Sequence, residues 1–277
     1  MSKYLNIFLI LLFSFIATLP FFLPYDLIVS RTVFPFIENK TGIKIKAESI
    51  KYSFPFSLSA INLIITPNDQ KKTSFIFDEL IYTPKLQALT GNLSGWVNAS
   101  VFKGQISLDF DQKHIYSSAN DIELKELFKS NTSSQINGKM NFSTKIGFSE
   151  SSSNLSFDGE IRVKDFSLKN YIMAGITLPK IEVDELNILF SAANGAIKIS
   201  RVQSIGGNVR ISGEGMISAG RNPLESSIDI HLKLFPQRNW LNQITSSDRA
   251  INKILKPDGS LGLRMTGALS SPQSSFE

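Results

Sequence analysis

An all-β body carried behind one N-terminal membrane helix is what this sequence predicts, and three observations predict it. Apolar and polar residues alternate with a period of two in six separate segments. The composition is rich in phenylalanine, with 21 residues, and in serine and asparagine, while alanine is scarce, a bias that favours strands over helices. Residues 4–23 form an almost unbroken apolar run.

The alternation is the strongest signal. Ile106, Leu108 and Phe110 alternate with Ser107 and Asp109, and Met140, Phe142, Ile146 and Phe148 with Asn141, Ser143, Lys145 and Gly147. Leu155, Phe157, Ile161 and Val163 oppose Ser156, Asp158, Glu160 and Arg162. Val209, Ile211 and Ile217 alternate with Arg210, Ser212 and Glu214, and Ile228, Ile230, Leu232 and Leu234 with Asp229, His231 and Lys233. Leu261, Leu263, Met265 and Leu269 do the same against Arg264 and Thr266. Successive strand side chains point to opposite faces, so each segment has a dry side and a wet side. Antiparallel sheets with one solvated face read this way.

Turn signals separate these segments at Asn137-Gly138, Asp158-Gly159, Asn194-Gly195 and Gly206-Gly207, and Asn194-Gly195 is the best hairpin candidate. Two short helical insertions are expected, over residues 121–129 and 237–255, the second broken near 245–248. Pro257-Asp258-Gly259 should turn the chain into its last strand. The polar stretch 149–154 is the best place for an internal division.

About 20 apolar residues in a helix match the roughly 30 Å hydrocarbon core of a bilayer. Residues 4–23 meet that length, interrupted by Asn6, Ser14, Thr18 and Pro20, with Lys3 before them. Positive charge before the run points to a cytoplasmic N-terminus and an exported body. No small-x-small step follows the run, which favours an uncleaved anchor over a signal peptide. The expected organisation is a stub and transmembrane anchor over 1–24, an amphipathic connector over 25–42 with Pro35 interrupting it and Gly42 ending it, and the β domain over 43–277.

Several function classes are excluded or disfavoured. The net charge of +5 comes from scattered lysines rather than a basic stripe, so no nucleic-acid partner is expected. The chain has no cysteine, which removes disulfides, thiolate metal sites and cysteine nucleophiles. The two histidines, His114 and His231, sit in strand-like contexts, and Glu182 and Asp184 share a strand face that reads as solvated surface. No phosphate-binding glycine loop or nucleophile elbow is present. We therefore expect no enzyme, no catalytic residues, no metal and no cofactor.

The order of parts carries a resemblance. After the apolar run come Glu38-Asn-Lys-Thr-Gly-Ile-Lys-Ile45 and Ser53-Phe-Pro-Phe-Ser-Leu-Ser-Ala60. Later come Ser204-Ile-Gly-Gly-Asn-Val-Arg-Ile-Ser-Gly-Glu-Gly-Met-Ile217 and Asp258-Gly-Ser-Leu-Gly-Leu-Arg-Met-Thr-Gly-Ala-Leu-Ser-Ser-Pro272. Nearly the whole chain resembles the type II secretion system protein N family, in the form found in Leptospira and Geobacter, which is similar in turn to the wider AsmA-like envelope proteins. The resemblance implies an elongated, curved antiparallel sheet in the periplasm, single-pass in the bacterial inner membrane, with lipid contacts through residues 4–24. It implies a structural or assembly role in type II protein secretion, with other secretion components as partners. The alternative is an AsmA-like protein that holds or transfers phospholipid acyl chains in an apolar trough. Phe142, Ile146, Phe157, Ile161, Val209, Ile211, Ile230 and Leu232 are the expected lining of such a trough, and the same alternation fits a closed core equally well.

Overall fold

The computed structural model describes residues 24–53, 56–66, 74–85, 87, 94–128, 135–147, 156–173, 176–220, 226–245, 255–269 and 271–277. The expected anchor over 4–24 lies outside them apart from Pro24, as does the stretch 149–154. No helix among the described residues is long and apolar enough to cross a membrane. The chain is all-β with few helices and divides into two compact units, residues 1–101 and 102–277.

The first unit opens on the connector, which is helical throughout. α1 (Tyr25–Ile28) runs through a π turn (Val29–Val33) into α2 (Phe34–Thr41). Pro35 was expected to interrupt this segment. It is accommodated instead by the wider π turn, in which Phe34 N–H reaches back to Val29 O. A proline ring has no N–H and crowds the carbonyl four residues earlier, and the extra residue in the turn relieves both conflicts. Gly42 ends the helix in the left-handed conformation, φ 71°, its N–H donating to Glu38 O at 2.8 Å.

Five strands complete this unit: β1 (Lys44–Lys46), β2 (Ser49–Ser53), β3 (Ser57–Thr66), β4 (Phe75–Pro84) and β5 (Gly95–Val101). Both β1 and β2 pair with β3, followed by β4 and β5, all antiparallel. Ile50, Ala60, Leu80 and Ala99 stand opposite one another across four strands and form one apolar row. The helical segment is fastened to β2 by the Tyr25–Tyr52 ring stack, 5.1 Å between centroids, and by the Asp26 carboxylate, which accepts Ile50 N–H.

The second unit is a longer meander. Its strands are β6 (Gly104–Phe110), β7 (His114–Glu123), β8 (Gln135–Gly147), β9 (Ser156–Lys169), β10 (Ile172–Met173), β11 (Ile176–Thr177), β12 (Ile181–Ala193), β13 (Ala196–Ile205), β14 (Val209–Ser218), β15 (Ser227–Pro236), β16 (Leu261–Ala268) and β17 (Ser271–Phe276). Each pairs antiparallel with the next, except that β9 pairs with β12 and the small β10–β11 hairpin lies between them in sequence. The order runs out at β17 without returning to β6, so the sheet is open. All six alternating segments fall in its strands, except that Leu269 follows β16 and Phe148 and Leu155 lie outside the described residues.

Asn194 and Gly195, φ 52° and 75°, turn β12 into β13 as the sequence predicts. Two positive φ angles define the tight turn whose twist matches its flanking strands. A Cβ on Gly195 would meet only Ala219 Cβ at 3.9 Å, so Gly195→Ala should cost about 1 kcal/mol through backbone conformation alone, measurable by chemical denaturation. Gly206-Gly207, φ 69° and 80°, likewise turns β13 into β14.

The other two glycine signals do not mark turns. Asn137-Gly138 lies within β8 at a register shift, and Asp158-Gly159 lies within β9. Gly159 is there for close packing: a Cβ would sit 2.3 Å from Phe190 Cζ. The helix expected over 121–129 shrinks to one turn, α3 (Leu124–Leu127), because residues 121–123 finish β7. The helix expected over 237–255 is α4 (Arg238–Thr245), and residues 246–254 lie outside those described.

Candidate functional site: an open apolar groove

Cross-strand register decides which side chains share a face. Ile146 stands opposite Phe157, Phe142 opposite Ile161, and Ile161 opposite Ile188. Ile188 stands opposite Val202, Val202 opposite Gly213, Gly213 opposite Leu232, and Leu232 opposite Leu263. One row further, Ile199, Gly215, Ile230 and Met265 are aligned. The register therefore gathers all eight expected lining residues on one face of this sheet.

That face has three zones. At one end it is sealed: Val209 and Leu261 are fully buried, and Ile211, Leu234 and Leu263 are buried beside them. The seal comes from outside the sheet. Trp240 of α4 lies over this end, 2% exposed, with its indole N–H donating to Lys180 O at 3.1 Å, and Leu178 is buried beside it. Asn208 holds the same corner, bonding Glu182 N–H and Lys180 O, each at 2.8 Å. Each buried Leu or Val here contributes roughly 1.5–3 kcal/mol.

Next to the seal the face is a groove of about 370 Å³, open to solvent on one side. Ile181, Leu186, Ile188, Ile199, Val202, Ile211, Ile230, Leu232, Leu263 and Met265 line it from five strands, with Phe166 and Leu168 from β9. Among the lining side chains, Tyr171 alone carries a polar atom. Gly213 and Gly215 let the Leu232 and Ile230 side chains lie close over β14, with Leu232 Cδ2 2.6 Å from where a Gly213 Cβ would stand and Ile230 Cγ1 2.9 Å from that of Gly215. Neither could take a side chain in place, since a Cβ would come within 2.3 Å of His231 O at Gly213 and 2.7 Å of Asp229 O at Gly215.

Beyond the groove lies an aromatic zone. The Phe190 ring lies over Gly159, parallel to Phe142 with centroids 6.2 Å apart and edge-on to Phe157 at 6.3 Å. Such pairs stabilise by about 0.5–1.5 kcal/mol beyond area burial. Of the eight expected residues, then, Ile211, Ile230 and Leu232 line the groove and Val209 lies in the seal. Phe142, Ile146, Phe157 and Ile161 lie on the same face outside the lining.

No protein-family model matches the chain, and neither a curated protein nor a solved structure matches it.

The reverse face is wet and charged. Arg264 makes a two-pronged pair with Asp229, 2.9 and 3.0 Å, and His231 lies 3.2 Å from both Asp229 and Glu277. The hydrogen bond from Arg264 holds the Asp229 carboxyl below the usual carboxylate range. That pairing contributes stability above the unfolded carboxyl's pKa and loses it as pH falls through the depressed folded value. Arg264→Gln should return the Asp229 titration toward the ordinary range in a carbon-detected NMR series. His114 stacks on Tyr116 at 6.0 Å, and Glu182 and Asp184 are exposed. Among the described residues, no group of three or more His, Asp or Glu side chains is placed to hold a metal ion.

Proposed function

We propose that the second unit holds a lipid acyl chain in its open groove, so that the protein binds or passes on phospholipid in the bacterial envelope. The observation that carries this reading is the pairing of an apolar lining with an open side. A sheet whose dry face merely served as a core would be covered along its length, as Trp240 covers one end. Instead, large apolar side chains from β12 to β16 converge on a hollow of about 370 Å³, within the range of roughly 300–1,000 Å³ typical of small-molecule sites. A lining without charge suits a hydrocarbon and offers nothing to a headgroup, which would remain in water at the rim.

The test is direct. The full chain, purified in mild detergent, should carry phospholipid or fatty acid detectable by mass spectrometry. Ile199→Trp, which fills the groove from one wall, should lower that amount severalfold while leaving the circular dichroism unchanged. A preparation free of lipid, unable to take up a fluorescent fatty acid, would overturn the proposal. A deletion strain separates it from the purely structural role in type II secretion that the resemblance implies. Exoproteins that accumulate in the periplasm when the gene is deleted, for a chain that binds no lipid, would favour the structural role.

A further inference from the structure

We propose a second site, on the wet face of the second unit: Arg201, Arg210 and Lys233 surround Ser212 and hold the terminal phosphate group of a ligand. The site lies across the strands from the groove and does not depend on the acyl-chain reading.

Register assembles it. Val202, Ile211 and Leu234 lie on the dry face. Their strand neighbours Arg201 and Gln203, Arg210 and Ser212, and Lys233 and Phe235 therefore project from the other side. Ser212 is the centre, opposite Gln203 on β13 and Lys233 on β15. Arg210 stands two residues along β14, opposite Phe235, which makes it a diagonal neighbour of Lys233 at about 7–8 Å. Arg201 comes from a bulge. Ile199 pairs with Gly215 and Val202 with Gly213, so Ser200 and Arg201 together face Glu214 alone. Bulges re-aim side chains, and Arg201 lines a shallow hollow of about 370 Å³ with Gln203, Arg210, Ser212 and Phe235.

The charge around this hollow is unbalanced. The arginines elsewhere on this face meet carboxylates: Arg162 pairs with Glu160 and Glu185, at 2.9 and 3.3 Å, and Arg264 with Asp229. Among the described residues, neither Arg201 nor Arg210 has an ion pair. Arg210 lies instead over the Phe235 ring, 4.7 Å from its centroid, which holds the guanidinium in place before any ligand arrives. Glu214 is the one carboxylate at a register position next to Ser212, and it stands opposite His231. Three cations, one hydroxyl and one amide against a single carboxylate suit a group of higher charge than a carboxylate. A terminal phosphate carries roughly −1.5 to −2 at pH 7, and arginine forks match its oxygens. Such a phosphate belongs either to a soluble molecule or to a lipid headgroup, and titration separates the two.

The full chain, in an uncharged detergent, is titrated with inorganic phosphate, glycerophosphate and dihexanoyl phosphatidic acid, and binding is read from phosphorus NMR line widths. All three should bind. Arg201→Gln and Arg210→Gln should each weaken inorganic phosphate about tenfold, the effect of losing one charge-assisted contact. Phe235→Leu keeps every charge yet should weaken it severalfold, because Arg210 loses its platform. Lys198→Gln removes an exposed charge from the same strand outside the hollow and should matter less than about twofold. Phosphatidic acid that binds at least about tenfold more tightly than glycerophosphate, and loses that advantage in Arg201→Gln, would assign the site to a lipid headgroup. Equal affinities would assign it to a soluble phosphate. Binding of none of the three would overturn the site, as would inorganic phosphate that binds Arg201→Gln and Arg210→Gln as well as the parent. A loss in Lys198→Gln equal to theirs would overturn it too, since diffuse surface charge would then explain the binding.

Discussion

Trp240→Ala should be the most destabilising single truncation in the second unit, lowering its stability by about 3–5 kcal/mol. The indole is almost wholly buried and covers the sealed end of the apolar face, so its removal opens a cavity over Val209, Leu234 and Leu261. Lys180 O also loses a donor, though Asn208 still bonds it. For a unit of this size, that loss corresponds to roughly 6–20 °C in melting temperature, readable by calorimetry on the full chain. Trp96→Ala, at an exposed position in the first unit, should stay within about 0.5 kcal/mol. Equal effects at the two tryptophans would mean that α4 does not seal the sheet.

The second large effect separates groove from seal on a single face. Val209→Asp places a carboxylate where no water reaches, and burying an unpaired charge should cost several kcal/mol and unfold the unit. Ile230→Asp changes a partly exposed groove residue on the neighbouring strand, where the new carboxylate can reach water through the open side. It should leave the thermal transition within a few degrees of the parent and reduce retained lipid at least about tenfold, the scale expected for a charge in an apolar binding site. If both variants unfold alike, the groove is an ordinary core. If Ile230→Asp folds and still retains lipid, the acyl-chain proposal fails.

Much of this architecture is legible in the alternation. Ile228, Ile230, Leu232 and Leu234 can share a side only in an extended strand, and β15 is that strand. Asn194-Gly195 could be read as a hairpin because few residue pairs tolerate two positive φ angles. The same logic misfires at Asp158-Gly159. A glycine also appears where another side chain needs room, and Phe190, thirty-one residues away, is invisible from the local sequence. Pro35 misleads for a related reason: a helix can widen by one residue rather than break.

The groove residues divide along the same line. Phe142, Phe157 and Ile161 carry the right parity yet lie outside the lining, whereas Ile188, Ile199, Val202 and Met265 line it. Parity names the face, but position along the sheet depends on register, and register depends on irregularities such as the shift between Ile199 and Val202.

The order of polar and apolar residues by itself determined that this protein builds antiparallel strands with a dry side and a wet side, because side-chain direction along a strand is a local property of the backbone. What covers the dry side was decided only in three dimensions. Trp240 and Leu178 fold over one end and leave the middle open, and that choice depends on contacts between residues far apart in sequence, which no local pattern encodes.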